Sequence, residues 1–457
     1  MCAGVVGTLA AAPLIVACAD DRWSRRSRPV DGRARRVGVV GAGIAGIAAA
    51  RALYDAGHDP IVLEARDRIG GRLHTIELAG APVELGANWV HGTDDNPLMP
   101  LLEQAGVKLV EDHHSRVLVV DAAGRPLTKR ARAAALDDAR ERLERASTRA
   151  GELDVDPSLA RMLAVESSPS DPTAFVLRTE LQNEYSADTS EMSTWWYDEG
   201  GNLDGDEPIV AGGFDRIAKL LAAGLDVRTG TRVRRIERRA AGARIHAAGG
   251  TQLDVDAVVL AVPIAVLAAE SIDIDLGVPD AVIESIGRIG TGTLEKVMLR
   301  FEPDEWLPDV GALGTTDPRH VDHGIAEFTL LHGHEAATTV IGLAGGAAAA
   351  ALARRGTQAM HDAAMDGLRS ILGASSVPDP LAWTASTWTT DPLTLGSYSF
   401  LRPGGTPDDR RRLCQTFDDR LVLAGEACDP DEPATVHGAL RSGRRAARLL
   451  LDEVLDA

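Results

Sequence analysis

Residues 35–72 read RRVGVVGAGIAGIAAARALYDAGHDPIVLEARDRIGGR. The apolar run Val37-Gly38-Val39-Val40 is short and predicts a buried strand. Gly41, Gly43 and Gly46 follow in G-x-G-x-x-G spacing, and the Ala-rich stretch Ile44 to Ala56 predicts a helix stopped by Gly57. Pro60-Ile61-Val62-Leu63 predicts a second strand, ending at Glu64. Strand, glycine turn, helix and strand make a βαβ unit that opens on a dinucleotide site. Gly41 is expected to allow the tight turn, Gly43 to let a pyrophosphate approach the backbone, and Gly46 to let helix and strand pack closely. The helix start offers free N–H groups and a positive dipole end. Glu64, about 20 residues beyond the turn, stands where a carboxylate accepts hydrogen bonds from a ribose.

The glycines alone do not choose between NAD and FAD. Glu64-Ala65-Arg66-Asp67-Arg68-Ile69-Gly70-Gly71-Arg72 resembles the second half of the signature of flavin amine oxidases, in which the G-G-R segment wraps FAD from the other side. Val83-Glu84-Leu85-Gly86-Ala87-Asn88-Trp89-Val90-His91-Gly92, followed by Asn96-Pro97-Leu98, resembles the polyamine-oxidase branch of that family. The resemblance implies FAD contacts at Arg66, Gly71, Arg72, Gly86, Ala87, Asn88 and Trp89, and places His91 near a bound amine. His91 read by itself is equally a hydrogen-bonded loop histidine.

A chain of 457 residues is long enough for two domains with substantial cores. Hydrophobic residues at 45% and charged residues at 25% are those of an ordinary soluble protein. The net charge of −19 argues against a nucleic-acid partner and favours cationic ligands at long range. The four cysteines, Cys2, Cys18, Cys414 and Cys428, form neither a C-x-x-C pair nor a disulfide framework. His332-Gly333-His334-Glu335 is the one dense ligand cluster and reads as a loop or strand end, so no metal is expected.

Residues 2–18, CAGVVGTLAAAPLIVAC, are small and apolar, short for a membrane span and like the core of a secretory signal. Ile15-Val16-Ala17-Cys18 resembles a bacterial lipobox, which makes Cys18 a candidate lipid anchor and the protein a candidate for export. A charged segment before it is missing, and a disordered apolar tail on a cytoplasmic protein is the alternative. The Arg-rich residues 20–34 read as a linker.

Further along, the pattern alternates. Residues 93–205 are helical in character, with Pro97 to Gln104, Thr128 to Ala150, Pro157 to Val165 and Pro172 to Tyr185 as segments. Trp195-Trp196-Tyr197-Asp198-Glu199 is expected either to line a cation site or to pack at a domain interface. From about residue 207 the α/β pattern returns. A strand and helix lie over Pro208 to Ala223, a strand pair over Val227 to Glu237, and a buried strand over Ala257 to Pro263. The fold expected is an α/β Rossmann-like FAD-binding domain, discontinuous in sequence, plus an α+β substrate-binding domain. The first comprises 35–92, 206–300 and 394–457, and the second 93–205 and 301–393; 1–34 stay outside as a signal-like segment and linker.

The resemblance also supplies site residues. Val233 matches a position whose backbone touches adenine. Lys296, within Thr291-Gly292-Thr293-Leu294-Glu295-Lys296-Val297-Met298-Leu299-Arg300-Phe301, matches a lysine that holds a water against flavin N5. On pattern alone it is a surface lysine of a strand. Trp388-Thr389-Thr390-Asp391-Pro392 and Gly396-Ser397-Tyr398-Ser399 resemble family segments in which the residue matching Trp388 meets the cofactor and the one matching Tyr398 walls the amine channel. In monoamine oxidases the position of Ser397 holds a cysteine bonded to FAD. A serine cannot form that thioether, so FAD is expected to be non-covalent. Gly425 and Glu426 match the last turn at the ribityl chain, and Thr435 and Val436 match backbone contacts to the flavin ring. Glu432 stands where many relatives have a tyrosine. It is read either as a second-ammonium ligand of a di- or polyamine or as a solvent-facing acid.

The reading as a whole is an FAD-dependent amine oxidase. It would pass hydride from a (poly)amine to flavin N5, yielding imine, then aldehyde and amine, with O2 reduced to hydrogen peroxide. Catalytic candidates are Lys296, Tyr398 and His91; substrate-binding candidates are His91, Tyr398 and Glu432. An L-amino-acid oxidase, another amine dehydrogenase and a non-catalytic flavin-binding interaction module are the alternatives. Oligomeric state is not readable from the sequence.

Overall fold

The computed structural model describes residues 34–455 except 114, 164–170, 202, 304–305 and 335–336. The expectations for the apolar N-terminal stretch, Cys18 included, lie outside the described residues.

Arg36–Val40 and Asp59–Leu63 pair in parallel, as two apolar runs flanking a helix require. They form the centre of a six-stranded sheet ordered Thr416–Phe417, Leu421–Leu423, Ala257–Leu260, Arg36–Val40, Asp59–Leu63, Asp226–Arg228. Its neighbours run parallel except at the Thr416–Phe417 edge. Near-continuous apolar strands need both faces covered. On one face, the helices Ile44–Asp55 and Val436–Leu450 pack over Val37, Val39 and Val259. On the other, the four-stranded sheet carrying Val233–Arg238 and Ala243–Ala247 packs on Val40, Ile61 and Val258. A Cβ on Gly38 would come within 2.3 Å of Ile245, so glycine there sets how closely the layers approach.

A second six-stranded sheet is ordered Ala382–Ala385, Leu294–Phe301, Ala337–Gly345, Glu327–His334, Ala312–Thr315, Val117–Val120, antiparallel except for its last, parallel pair. The helices Gly346–Arg355 and Thr357–Leu372 cover one face, over Val297, Leu299 and Phe301. Strand alternation sends Met298 to the other face, against Leu85, Ile209 and Trp388, and Lys296 shares that parity.

Several expectations change. Leu294–Phe301, all but Phe301 counted above within 206–300 of the FAD-binding part, is the second strand of this other sheet and pairs over its whole length with Ala337–Gly345. Apolar residues on both of its faces need two packing layers, which the edge of the first sheet does not offer. Val227 to Glu237 is not a strand pair: Asp226–Arg228 joins Asp59–Leu63, whereas Val233–Arg238 joins Ala243–Ala247. Over Pro157 to Val165 the helix Leu159–Leu163 forms, and 164 and 165 lie outside the described residues. Over Pro172 to Tyr185 an α-helix ends at Leu177 and a π-helical turn runs from Arg178 to Asn183. The long helix Lys129–Ala150 forms as expected, with Thr128 accepting from the Ala131 N–H as its cap. Among the described residues no helix is long and apolar enough to cross a membrane, and no group of acids, histidines and cysteines is arranged to hold a metal.

Candidate active site

A cavity of about 920 Å³ is lined from both large sheets, from the glycine turn at one end to the π-helical turn and the residue 198–207 loop at the other. That volume suits a large cofactor with a substrate beside it.

The three glycines of the turn stand in different surroundings. Gly41 has φ +102°, and a Cβ on it would lie 2.4 Å from the Ala261 carbonyl. A Cβ on Gly46 would lie 2.0 Å from the Gly41 carbonyl, so that position is for close packing. A Cβ on Gly43 would meet nothing within 4 Å, and Gly43 is on the cavity wall. Glycine there leaves room for a ligand. Gly43 caps the helix Ile44–Asp55 without a side-chain hydrogen bond, which suits a helix start that receives a phosphate. Glu64 is buried at the end of its strand; its carboxylate accepts from Ala42 N at 2.7 Å and Arg66 N at 2.8 Å and still lines the cavity. Two further lone-pair sites are left for a ribose. Thr231 and Val233 border the same end.

Gly71 lies across from the turn: a Cβ on it would sit 3.2 Å from Gly43 Cα. A Cβ on Gly86 would sit 1.7 Å from the Arg72 carbonyl. The Arg66 guanidinium is held by Asp391 at 2.7 Å. Arg72 donates to Glu426 at 2.8 Å and to the Ser397 carbonyl at 2.6 Å, tying the N- and C-terminal segments together on the cavity wall. Glu426 also accepts from Ser399 Oγ at 2.5 Å. Burial alone would raise the Glu426 carboxyl, but Arg72, Ser399 and Arg410 outweigh it and keep it below its ordinary value. Gly425, Thr435 and Val436 complete this wall; Thr435 Oγ caps the last helix at Gly438 N. An open glycine approach, an uncapped helix start, a buried carboxylate and a long cavity all fit FAD.

Lys296 is buried, not a surface lysine, and borders the cavity. Its Nζ donates to Asn88 Oδ1 at 2.6 Å and to the Gly86 carbonyl, and sits 5.2 Å from the centre of the Trp89 ring. Asn88 is oriented in turn by donating to the Val210 carbonyl, and Trp89 by donating to Asp112. Burial drives the Lys296 ammonium from 10.5 down to about 7, against the pull of the Glu84 carboxylate. Trp388 is buried above Gly86 and donates to the Leu85 carbonyl at 2.9 Å; Ala87 is on the same wall.

Tyr398 lines the cavity and donates to the Glu184 carbonyl at 2.6 Å. His91 also lines it, with Nδ1 3.6 Å from Glu207. Burial works against its protonation, but Glu207 and Glu184 prevail and raise it above its ordinary value. Glu432 is buried on the wall rather than facing bulk solvent, which removes one of its two readings. Ser397 Oγ accepts from Leu294 N at 3.0 Å. The aromatic patch splits: Trp195 and Trp196 remain 39% and 38% exposed and are neither cavity wall nor interface core. Tyr197 packs edge-on against Tyr185, and Asp198 and Glu199 reach the cavity.

Several groups escaped the sequence reading. Glu84 is fully buried, accepts from Thr75 Oγ and Phe214 N, and has its carboxyl raised by that burial. Glu295 is held by Ser386, Trp388 N and Thr389 N and fixes the strand that carries Lys296. The π-helical turn brings Thr179, Glu180, Asn183 and Glu184 to the wall, which α-helical spacing does not suggest. Arg410 is entirely buried, joining Glu199 at 2.6 Å to Ser399 at 2.8 Å. The only legible trace of these was an excess of acids.

The family model for flavin containing amine oxidoreductase matches residues 44–451. Polyamine oxidase 4 of Oryza sativa subsp. japonica is 31% identical over 430 residues, covering 90% of this chain and 87% of that protein. Polyamine oxidase 2 of Arabidopsis thaliana is 31% identical over 435 residues, covering 91% and 88%. Lysine-specific histone demethylase 1 homolog 2 of Oryza sativa subsp. japonica is 32% identical over 90% of this chain, which spans 56% of that protein. Among solved structures, wild-type putrescine oxidase bound to putrescine superimposes with a TM-score of 0.75 at 21% identity, covering 91% of this chain and 98% of that one. That likeness shows a shared two-domain amine oxidase fold. With the family match spanning nearly the whole chain and full-length relatives above 30% identity, the protein belongs to the flavin-containing amine oxidoreductases.

Proposed function

We propose that this flavin amine oxidase acts on a di- or polyamine, with FAD held without a covalent bond and O2 as electron acceptor. One observation carries the substrate class: the cavity that holds Lys296 is bordered by many acids and few free cations. Of the arginines on its wall, Arg66 and Arg72 are taken up by Asp391 and Glu426, and Arg232 adjoins Val233 at the adenine-facing end. Among the described residues no unpaired guanidinium stands beside Lys296 to take a substrate carboxylate, which disfavours an L-amino-acid oxidase. A cationic chain finds Glu180, Glu184 and Glu207. The polyamine oxidases among the relatives, and the putrescine named with the structural neighbour, agree with this chemistry.

FAD, when bound, supplies the hydride acceptor for the amine's α-carbon. The chain supplies the rest. Gly43, Glu64 and the Ile44–Asp55 helix start hold the pyrophosphate and ribose end, and Arg72, Glu426, Thr435 and Val436 hold the flavin end. Residues 35–92, the 206–292 stretch and 394–457 carry these contacts, with Leu294–Phe301 reaching over from the substrate part. Tyr398 walls the amine's path, and His91 marks the opening side. The walls exclude competing water and orient the α-carbon. Desolvation favours the neutral, reactive amine over its ammonium. Lys296, near-neutral and locked to Asn88 and Gly86, positions a water that later hydrolyses the released imine to aldehyde and amine. Ser397 provides no thiol for a flavin thioether.

The test is peroxide release by the purified yellow protein with putrescine, spermidine, spermine, aromatic monoamines and L-amino acids. Turnover of the aliphatic polyamines is expected; turnover confined to amino acids would overturn the substrate class. Acid precipitation is expected to leave all flavin in the supernatant, and flavin retained on the pellet would refute the non-covalent reading.

A further inference from the structure

Glu432 ends the acidic loop Asp429-Pro430-Asp431-Glu432 and precedes the helix Val436–Leu450. Its residue is 7% exposed, and what remains exposed lies on the cavity. The two carboxylate oxygens differ. Oε2 has no exposed surface; it lies 2.5 Å from His437 Nε2, off the axis of a directed hydrogen bond, and 3.2 Å from Arg441. Oε1 accepts no hydrogen bond among the described residues and lies near Gly201, where a Cβ would stand 3.9 Å from it. Gly201 is itself cavity wall and is pinned to the same loop by donating to the Asp431 carbonyl at 2.5 Å. One oxygen is thus fixed from behind and the other is left toward the cavity over a residue with no side chain.

The charges around it are shared unevenly. On its own loop are Asp429 and the exposed Asp431; on the helix are Arg441 and Arg445, both drawn to Asp429 at 2.8 and 3.5 Å. Burial, then Arg441 and His91, push His437 from 6.5 down to about 4, so it is neutral near pH 7. The ion pairs join two carboxylates, Asp429 and Glu432, to two guanidinium groups, with the exposed Asp431 outside them and a neutral imidazole beside them. Arg441 is shared between Asp429 and Glu432, and Glu432 is the carboxylate of this group that borders the cavity, with Oε1 outside the ion pairs. Across the cavity, His91 is engaged with Glu207. In the loop before Gly201, Asp198 accepts from Tyr185 and Glu199 is neutralised by Arg410. None of these supplies Glu432 with a counter-ion.

We propose that Glu432 is a specificity-determining residue that takes the second, non-reacting ammonium of a di- or polyamine, with His437 and Arg441 as positioning residues for its carboxylate. The inference rests on the amine-oxidase reading above. The non-reacting nitrogen is the one assigned because a carboxylate against the reacting nitrogen would hold it protonated, without the lone pair that supports hydride loss. A buried carboxylate oxygen can bind an ammonium through a charge-assisted hydrogen bond, whereas a monoamine leaves Oε1 without a donor. The cost of that bare oxygen makes the subsite discriminate against monoamines as well as favour diamines. Burial, only partly offset by Arg441, also raises the Glu432 carboxyl, so the preference should fade as pH falls and the group takes up a proton.

The experiment compares kcat/KM for putrescine and butylamine, which differ by one terminal ammonium, in the holoenzyme and in Glu432→Gln, with FAD content checked by absorbance. The expected result is a roughly 10- to 100-fold loss for putrescine, mostly in KM, in line with a lost hydrogen bond to a charged group, with butylamine not reduced and gaining up to about 10-fold as the bare carboxylate is removed. The parent's diamine preference should shrink toward pH 5 and the variant's should not. Equal losses for both amines, no loss for either, or a parent indifferent to the second ammonium would overturn the proposal while leaving the amine-oxidase reading intact. A FAD-loaded parent that oxidises no amine would overturn that reading and this one with it. Should the amide variant lose FAD, Glu432→Asp decides, since it keeps the charge but draws it back by one methylene: a weakened diamine preference supports the assignment and an unchanged one refutes it.

Discussion

Replacing Lys296 by methionine separates two roles of one buried amine. In the folded protein its ammonium titrates at about 7, against 10.5 for an ordinary lysine. Between those values the unfolded chain holds a proton that the folded chain does not, so stability rises with pH. The slope starts at half of about 1.4 kcal/mol per pH unit at pH 7 and approaches the full value above it, which amounts to roughly 2.3 kcal/mol from pH 7 to pH 9. Lys296→Met removes that slope. It also strands Asn88 Oδ1 and the Gly86 carbonyl, a pH-independent cost of about 1–3 kcal/mol for each acceptor left dry. The difference in urea-unfolding free energy between parent and variant holoenzyme should therefore change steadily with pH, in the parent's favour as pH rises. Anaerobic stopped-flow on the same samples should show FAD still bound and its reduction by amine slowed by orders of magnitude. A stability difference constant from pH 7 to pH 9 would refute the neutral, desolvated lysine, and equal reduction rates would refute its part in the reaction.

Three other substitutions test the walls. Glu64→Ala takes the acceptor from Ala42 N and Arg66 N and the expected partner from a ribose; the flavin-to-protein absorbance ratio after gel filtration should drop at least about 10-fold, for a loss of one or two charged hydrogen bonds. Gly43→Val fills space that is open in the protein, so the chain should fold but emerge nearly colourless; full FAD content would argue against the pyrophosphate approach. Glu199→Ala leaves the wholly buried Arg410 guanidinium without its carboxylate, which should cost about 3–5 kcal/mol and show as a clear fall in the thermal midpoint; an unchanged midpoint would mean that Ser399 and the Ala427 carbonyl satisfy Arg410 without it.

How much could be read beforehand follows from the range of each interaction. The glycine turn was legible because its constraints are local: φ at Gly41 and contacts made within one βαβ unit specify the residue types. Lys296 was legible as a position in a family-like strand, but its burial was not, because Asn88 and Gly86 that receive its hydrogen bonds come from 208 and 210 residues away. The same distance explains the misplaced strand boundary. Leu294–Phe301 looks by itself like any apolar strand, and only its pairing with Ala337–Gly345 tells which sheet it enters.

The acidic wall illustrates a further limit. Acids at 180, 184 and 207 are unremarkable in a chain of net charge −19, and only Glu199, beside three aromatics, and Glu432, in place of a family tyrosine, stand out in the sequence. What distinguishes them is which are already neutralised. Arg410 cancels Glu199. Glu432 shares Arg441 with Asp429 through Oε2 only, and its Oε1, which accepts no hydrogen bond among the described residues, is the remainder. Substrate charge is matched to that remainder and not to the sum of acids, because a carboxylate already paired in the dry interior gains little from a second cation. A net charge read from composition therefore points toward cationic ligands in general, whereas the local imbalance at one oxygen of Glu432 is what can tell a diamine from a monoamine.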